Sequence, residues 1–412
     1  MHGVSTPTIS YFAKKIAMKI LLFTLFVVWF SHPVFSQNVY FTPGTWEEVL
    51  QKAKVENKYI MVDAFTDWCG PCKRMDAEMF QNNVAVADFV NANFVSFKAD
   101  CEKTPGVAIA MKFKVISYPT LLFFNPQGQL IFRSLGYTAD QQVFLEPFRN
   151  VLTIKNQKVF GYDSKVLDPG FPAIYTDAFK KDGVGAKRHT ADEVVQYLDA
   201  QKDKFSEVNW ALLYVYSFPM KYEQFFLDNF AKYKSLYQSE ASDGVKRIAA
   251  RHVNASMKNK DEKEFDLAVA MVQQYIPEQA DDLVIGWKIN FYKSNGQWQK
   301  YADAIDVELK KDPNVDVDYL NQFCWPIYEH CDDPAVVNRA IEWLSSRSSK
   351  MKSYEVIDTY AALLYKANRL DEAETYALKA IAACPPTDCD PTGTNELLVK
   401  IRAAKTKSPG NN

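Results

Sequence analysis

Two cysteines, Cys69 and Cys72, stand where an apolar run gives way to a helical pattern, with only Gly70-Pro71 between them. Thiols at that spacing close a small disulfide without unfolding anything. At the first turn of a helix, unpaired backbone N–H groups and the positive end of the dipole favour thiolate over thiol. Cys69, first in the turn, is therefore expected to be exposed and to attack. Cys72, one turn in, is expected to be shielded and to resolve the mixed disulfide. Pro71 lacks an N–H and is tolerated in a first turn. Zinc is the competing use of such a pair, but a structural zinc site takes four ligands. No His lies between residues 33 and 188, and Cys101 is the one other cysteine nearby, so no metal is assigned.

The surrounding segments dictate a small α/β layer. Trp46 to Leu50 opens an amphipathic helix, and Tyr59–Phe65 is an apolar strand holding one acid, Asp63. A helix is expected over Arg74–Phe80, a strand over Phe94–Lys98, and a short helix over Val107–Phe113. Strands at Pro119–Phe124 and Leu130–Phe132 flank the turn Asn125-Pro126-Gln127-Gly128, and a helix over Asp140–Phe148 closes the unit. Strand–helix alternation followed by a hairpin suits a mixed sheet flanked by helices. The unit is bounded at residues 38–152.

Asp63, between Val62 and Ala64, is expected to be partly buried, with its pKa raised. Near the thiols it can accept the proton of Cys72. Lys98, ending a strand expected to run parallel and adjacent, is its candidate partner. Tyr118-Pro119 precedes an apolar strand, where proline forfeits a ladder bond.

Together these residues resemble the thioredoxin family over roughly residues 42–150. The resemblance rests on Asp63, Trp68-Cys69-Gly70-Pro71-Cys72-Lys73, Lys98, Tyr118-Pro119-Thr120 and Gly136, in that order and spacing. It implies that Cys69 is the nucleophile and Cys72 resolves, that Asp63 assists proton transfer, and that Lys98 tunes it. It also implies a cis Pro119 lining a peptide-binding face with Trp68, Gly70, Pro71 and Tyr118. The family often has threonine or a small aliphatic residue where this chain has Tyr118, at the groove. Cys101 is extra and is read as a buried or incidental thiol rather than a third redox centre. No cofactor is called for.

The N-terminus reads as an export signal. Residues 20–30 are an apolar stretch of eleven residues, interrupted by Thr24, behind Lys14, Lys15 and Lys19, too short for a comfortable span of about 20. Cleavage is expected after Ser36, and Met18 is an alternative start. An uncleaved anchor is the competing reading. Losing residues 1–36 removes three lysines and no acid, taking the net charge from −2 to −5. The mature chain is expected to have no stable membrane span and to reside in an exported compartment, the bacterial periplasm, where disulfides persist. No basic run marks a nucleic-acid surface.

Beyond a connecting region at 153–189, helical periodicity holds over residues 190–404, and 405–412 read as a disordered tail. Thr190 and Glu193 form a capping box. Turn candidates fall at Lys260, Gly296, Asp332 and Asn368, each 36 residues after the last, with Phe265, Tyr301, Val337 and Ala373 five residues beyond. The last unit, with Ala361, Ala373 and Ala380, resembles the tetratricopeptide repeat, which implies an all-α solenoid. An irregular bundle is the alternative. Cys384 and Cys389 flank a turn and can pair; Cys324 and Cys331 share a helical face. His252 and His330 lack metal-motif neighbours.

Two functions compete. One is an exported thiol-disulfide oxidoreductase, a reductase or interchange factor acting on protein disulfides and fed by a protein electron donor, with a helical domain that binds a partner. The other is a helical scaffold whose α/β unit merely binds. Two thiols at a helix start favour the first. All candidate catalytic groups lie before residue 155, so a chain ended there is expected to keep activity on small disulfides.

Overall fold

The computed structural model describes residues 38–153, 160–180, 189–312, 314–385 and 389–407. The expected signal peptide, the end of the tail at 408–412, and parts of the connecting region lie outside the described residues. The chain divides into two compact units at Ser239/Glu240.

The first unit opens with α1 (Trp46–Glu56), started by a Thr45/Glu48 capping box and ended by Asn57 in the left-handed region. Then come β1 (Tyr59–Phe65), α2 (Gly70–Met75) continuing into a π-helical turn at Asp76–Phe80, α3 (Val84–Asn93) and β2 (Phe94–Asp100). They are followed by α4 (Gly106–Lys112), β3 (Thr120–Phe124), β4 (Leu130–Leu135) and α5 (Gln141–Thr153). The sheet order is β2-β1-β3-β4, with β1 parallel to β2 and the other pairs antiparallel. β1 is central and covered on both faces, which is why Tyr59–Phe65 reads as a continuous apolar run. Met61, Met75, Phe80, Val90, Phe123 and Phe148 form the core on one side.

The helices that follow are α6 (Ala173–Thr176), α7 (Ala191–Ala200), α8 (Glu207–Val215), α9 (Met220–Asp228) and α10 (Phe230–Tyr237). Periodicity placed the start of a separate helical domain at residue 190, but residues up to Ser239 belong to the first unit. The reason is a set of buried long-range contacts. Trp46 donates its indole N–H to the Ser164 carbonyl at 2.9 Å, and Lys112 pairs with Glu207 at 2.6 Å. The Tyr175 hydroxyl donates to the Met111 carbonyl at 2.5 Å, and Arg133 faces the Tyr214 hydroxyl. Trp210 stacks on Tyr237 with rings 4.7 Å apart.

These contacts change what truncation does. A chain ended after residue 155 is expected to melt on the order of 10 °C or more below one ended after residue 239. Trp46 loses its hydrogen bond to Ser164, Phe113 its contact with Tyr162 and Lys112 its partner Glu207, which together cost on the order of 3 kcal/mol. Calorimetry of the two fragments checks this, and equal melting temperatures would return the boundary to residue 155.

The second unit is all helical: α11 (Ser239–Asn259), α12 (Glu262–Tyr275), α13 (Pro277–Ser294), α14 (Trp298–Lys311), α15 (Val317–His330), α16 (Pro334–Ser345), α17 (Tyr354–Lys366), α18 (Leu370–Ala383) and α19 (Thr392–Lys407). Lys260, Gly296 and Asn368 all have positive φ between paired helices, and Asp332 lies between α15 and α16. Phe265, Tyr301, Val337 and Ala373 are buried. Polar contacts join residues 33 to 38 apart: Lys300 to Glu262, Arg339 to Asp303 and Asp306, Thr394 to Asp358. Each helix pair thus leans on the next. The tail was expected to begin at residue 405, but α19 runs through Lys407, because Lys405 pairs with Asp371 and Glu374 on α18. Cys384 and Cys389 are joined in a disulfide, while Cys324 and Cys331 are free and buried.

Candidate active site

Strand β1 ends in a turn, where Cys69 N–H donates to the Thr66 carbonyl at 3.1 Å. Cys69 is then the N-cap of α2. Its Sγ accepts the backbone N–H of Cys72 at 3.1 Å, and Pro71 occupies the first turn. Cys69 and Cys72 are joined in a disulfide with Cα atoms 5.3 Å apart. Cys69 was expected to be exposed and Cys72 shielded, yet each is 3% exposed. In this oxidised state one side of the Cys69 sulfur is bonded to Cys72 and another receives its N–H, so little surface remains.

Asp63 is 1% exposed and sits opposite Lys98 in the β1–β2 register. Burial pushes its carboxyl up to about 7; Lys98 pulls it down and Asp76 pushes it up. Among the described residues Asp63 Oδ1 has no hydrogen-bond partner. Lys98 Nζ lies 3.7 Å from Asp63 Oδ2 but is ion-paired directly with Asp76. Asp76 is therefore the member of this group that the sequence reading missed. Its signal was available: it follows Cys72 by four residues on one helix, which puts it on the same face.

The other predicted groups gather at the same end of the sheet. The Tyr118–Pro119 bond is cis, and Gly136, at φ +83°, donates its N–H to the Pro119 carbonyl at 2.9 Å. The Trp68 ring is 67% exposed and meets Tyr118 edge-on, with centroids 5.9 Å apart. Gly70 has open space around it. Cys101 is buried, with its thiol pushed up to about 12 mainly by burial, and it faces the Tyr118 hydroxyl. It lies beside the site, closer to the groove than an incidental thiol need be. Glu102, which accepts the Trp68 indole N–H at 3.1 Å, was also missed. Among the described residues there is no cluster of three or more His, Cys, Asp or Glu able to hold a metal. Nor is there a helix long and apolar enough to cross a membrane.

An α/β thioredoxin-like domain with a Cys-x-x-Cys disulfide, followed by a long all-α region, is what fold and site define. Residues 46–151 match the thioredoxin-like domain family. The thiol:disulfide interchange protein DsbD of Pseudoalteromonas atlantica is 30% identical over 101 residues, covering 24% of this chain and 17% of that protein. A peptide-N(4)-(N-acetyl-beta-glucosaminyl)asparagine amidase of Caenorhabditis briggsae is 35% identical over 83 residues, covering 20% of this chain and 12% of that protein. A solution structure of a candidate disulphide-isomerase from Bacteroides thetaiotaomicron is 37% identical, covering 29% of this chain and 98% of that one, with a TM-score of 0.27. The chain thus spans about a sixth or less of the length of these curated relatives. A thioredoxin-like fold with this disulfide supports general thiol-disulfide oxidoreductase activity.

Proposed function

We propose that the chain is an exported thiol-disulfide oxidoreductase that reduces or interchanges protein disulfides through Cys69 and Cys72. The observation that carries this reading is the Cys69–Cys72 disulfide at a helix start, with the Cys72 N–H aimed at Cys69 Sγ. In the reduced protein the Cys69 thiolate attacks one sulfur of a substrate disulfide and displaces the other as thiolate. Cys72 then loses its proton to Asp63, and its thiolate attacks Cys69 Sγ. The second substrate thiolate leaves, and Cys69–Cys72 closes. Two electrons have passed to the substrate, and a protein dithiol donor must return them.

Lys98 tunes Asp63, and Trp68, Gly70, Pro71, Tyr118 and Pro119 form the face that meets the substrate. Export is supported by the basic, then apolar N-terminus and by the second disulfide, Cys384–Cys389. The helical unit is assigned to recruiting a protein partner, as a tetratricopeptide-like array.

A redox titration of Cys69–Cys72, with insulin reduction assayed alongside, tests the reading. A potential near the thioredoxin value of about −270 mV is expected, and one near the strong-oxidant value of about −120 mV would make it an oxidase instead. If the reduced protein transfers no electrons to any disulfide yet still binds partners, the scaffold reading replaces it.

A further inference from the structure

The segment that leads from α4 into β3, residues 113–119, carries Tyr118 and Pro119 to the proposed substrate face. The last carbonyls of a helix have few donors within it, so the end of α4 must find them elsewhere. The Tyr175 hydroxyl donates to the Met111 carbonyl at 2.5 Å, and the Arg133 guanidinium donates to the Phe113 carbonyl. Arg133 stands on β4 opposite Leu122, three residues before Gly136, whose N–H donates to the Pro119 carbonyl at 2.9 Å. One stretch of chain therefore holds the segment at both ends, by a side chain at its start and by backbone at its finish. Val115 is buried, and only Ile116, Ser117 and Tyr118 separate it from Pro119.

Arg133 is itself held from outside the sheet. It is 8% exposed, its Nη1 donates to the Tyr214 hydroxyl at 3.4 Å, and its guanidinium carbon lies 5.8 Å from the centre of that ring. Tyr214 is on α8, and seven residues earlier on the same helix stands Glu207. Glu207 pairs with Lys112, the last residue of α4, at 2.6 Å. Residues seven apart share a helix face. One face of α8 thus meets both the end of α4 and the arginine that holds the following turn. A guanidinium keeps its charge and has a rigid fork of donors, so its acceptors set its direction.

We propose that Arg133 is a positioning residue for substrate binding: aimed by Tyr214 of α8, it fixes the start of the segment that presents Tyr118 and Pro119. This rests on the oxidoreductase reading above and gives α8 a part in it that is distinct from recruiting a partner. Arg133 acts through the segment and not on the thiols. Its loss loosens the segment and weakens polypeptide binding, while the chemical step at Cys69 and Cys72 is kept.

The test uses the full-length protein and three variants, at a temperature where each is folded. Arg133→Met removes the donors. Tyr214→Phe removes only the hydroxyl and leaves the ring over the guanidinium, so it serves alone if Arg133→Met does not fold. Tyr222→Phe is the reference, because its hydroxyl donates to Asp199 at 2.8 Å, a bond between α9 and α7 that involves neither α4 nor β4. Amide exchange over residues 113–119 is expected to speed about tenfold or more in Arg133→Met and about two- to fivefold in Tyr214→Phe, with exchange over β2 unchanged. The KM for insulin should rise about three- to tenfold in Arg133→Met and about two- to threefold in Tyr214→Phe. The kcat, and the kcat/KM for bis(2-hydroxyethyl) disulfide, should stay within about twofold. Tyr222→Phe should move none of these. Wild-type exchange over 113–119 in the variants of Arg133 and Tyr214 overturns the proposal. So does an unchanged insulin KM in them, an equal loss on both disulfides, or an equal effect in Tyr222→Phe. If the wild-type protein reduces neither disulfide, the oxidoreductase reading fails as a separate result, and exchange alone decides whether Arg133 holds the segment.

Discussion

Cys72→Ser is expected to turn the protein into a trap. Cys69 keeps its place at the N-cap of α2, so its thiolate still forms and attacks. With no thiol at residue 72 to displace the substrate, the mixed disulfide persists and turnover falls to background. Cys69→Ser removes the attacking sulfur and is expected to abolish capture and turnover together. Non-reducing gels of each variant, expressed in the exported compartment, read the outcome. Adducts on the Cys69 variant and none on the Cys72 variant would reverse the assigned roles. The near-equal burial of the two sulfurs makes this experiment decisive, because exposure in the oxidised state does not tell them apart.

Asp63→Asn is expected to act on rate and stability in opposite senses. In the unfolded chain the carboxyl loses its proton near 3.8, whereas in the fold it keeps it to about 7. Below pH 4 both states are protonated and the buried acid costs nothing. From there to pH 7 the folded state binds more protons, so stability falls as pH rises, and above 7 the full cost is reached. That cost is about 4 kcal/mol, from a rise of about three pH units at 1.36 kcal/mol each. Asparagine carries no charge at any pH. The variant should therefore be more stable than the wild type at pH 8 by an amount of this order, with little of that gain at pH 4. Urea denaturation of both oxidised proteins at the two pH values measures the difference. A gap that does not change with pH would contradict the buried, protonated acid.

Turnover should move the other way. A positioned proton acceptor contributes on the order of 10²-fold or more. Resolution of the mixed disulfide is thus expected to slow by about that factor in Asp63→Asn near pH 7. The rise in wild-type rate through pH 7 should disappear. Asp76 bears on the same profile, since its charge pushes Asp63 upward and it holds the Lys98 ammonium.

Much of the site was legible because its logic is local. Cys69-Gly70-Pro71-Cys72 needs only a strand end, a turn and a helix start, all written within fourteen residues of sequence. Asp63 could be placed by the apolar run around it, and Lys98 by the expectation of a parallel neighbour, which the register bears out. The spacing of Lys260, Gly296 and Asn368 was readable for a similar reason: chain reversals between helices ask for left-handed backbone, a single-residue property.

The partners of these residues were another matter. Asp76 shares Lys98 with Asp63, and Glu102 takes the indole of Trp68, across separations of 22 and 34 residues. The reach of the first unit to Ser239 depends on Lys112 meeting Glu207 and Arg133 meeting Tyr214, the latter 81 residues on. Periodicity and capping report how each segment buries its own apolar stripe, so they determined the helices, the strands and the thiol pair. Which side chains share a charge or a buried N–H is decided by where loops from distant segments meet. Only the packed chain settles that, because a buried polar group must find its partner wherever the fold has brought one within about 3 Å.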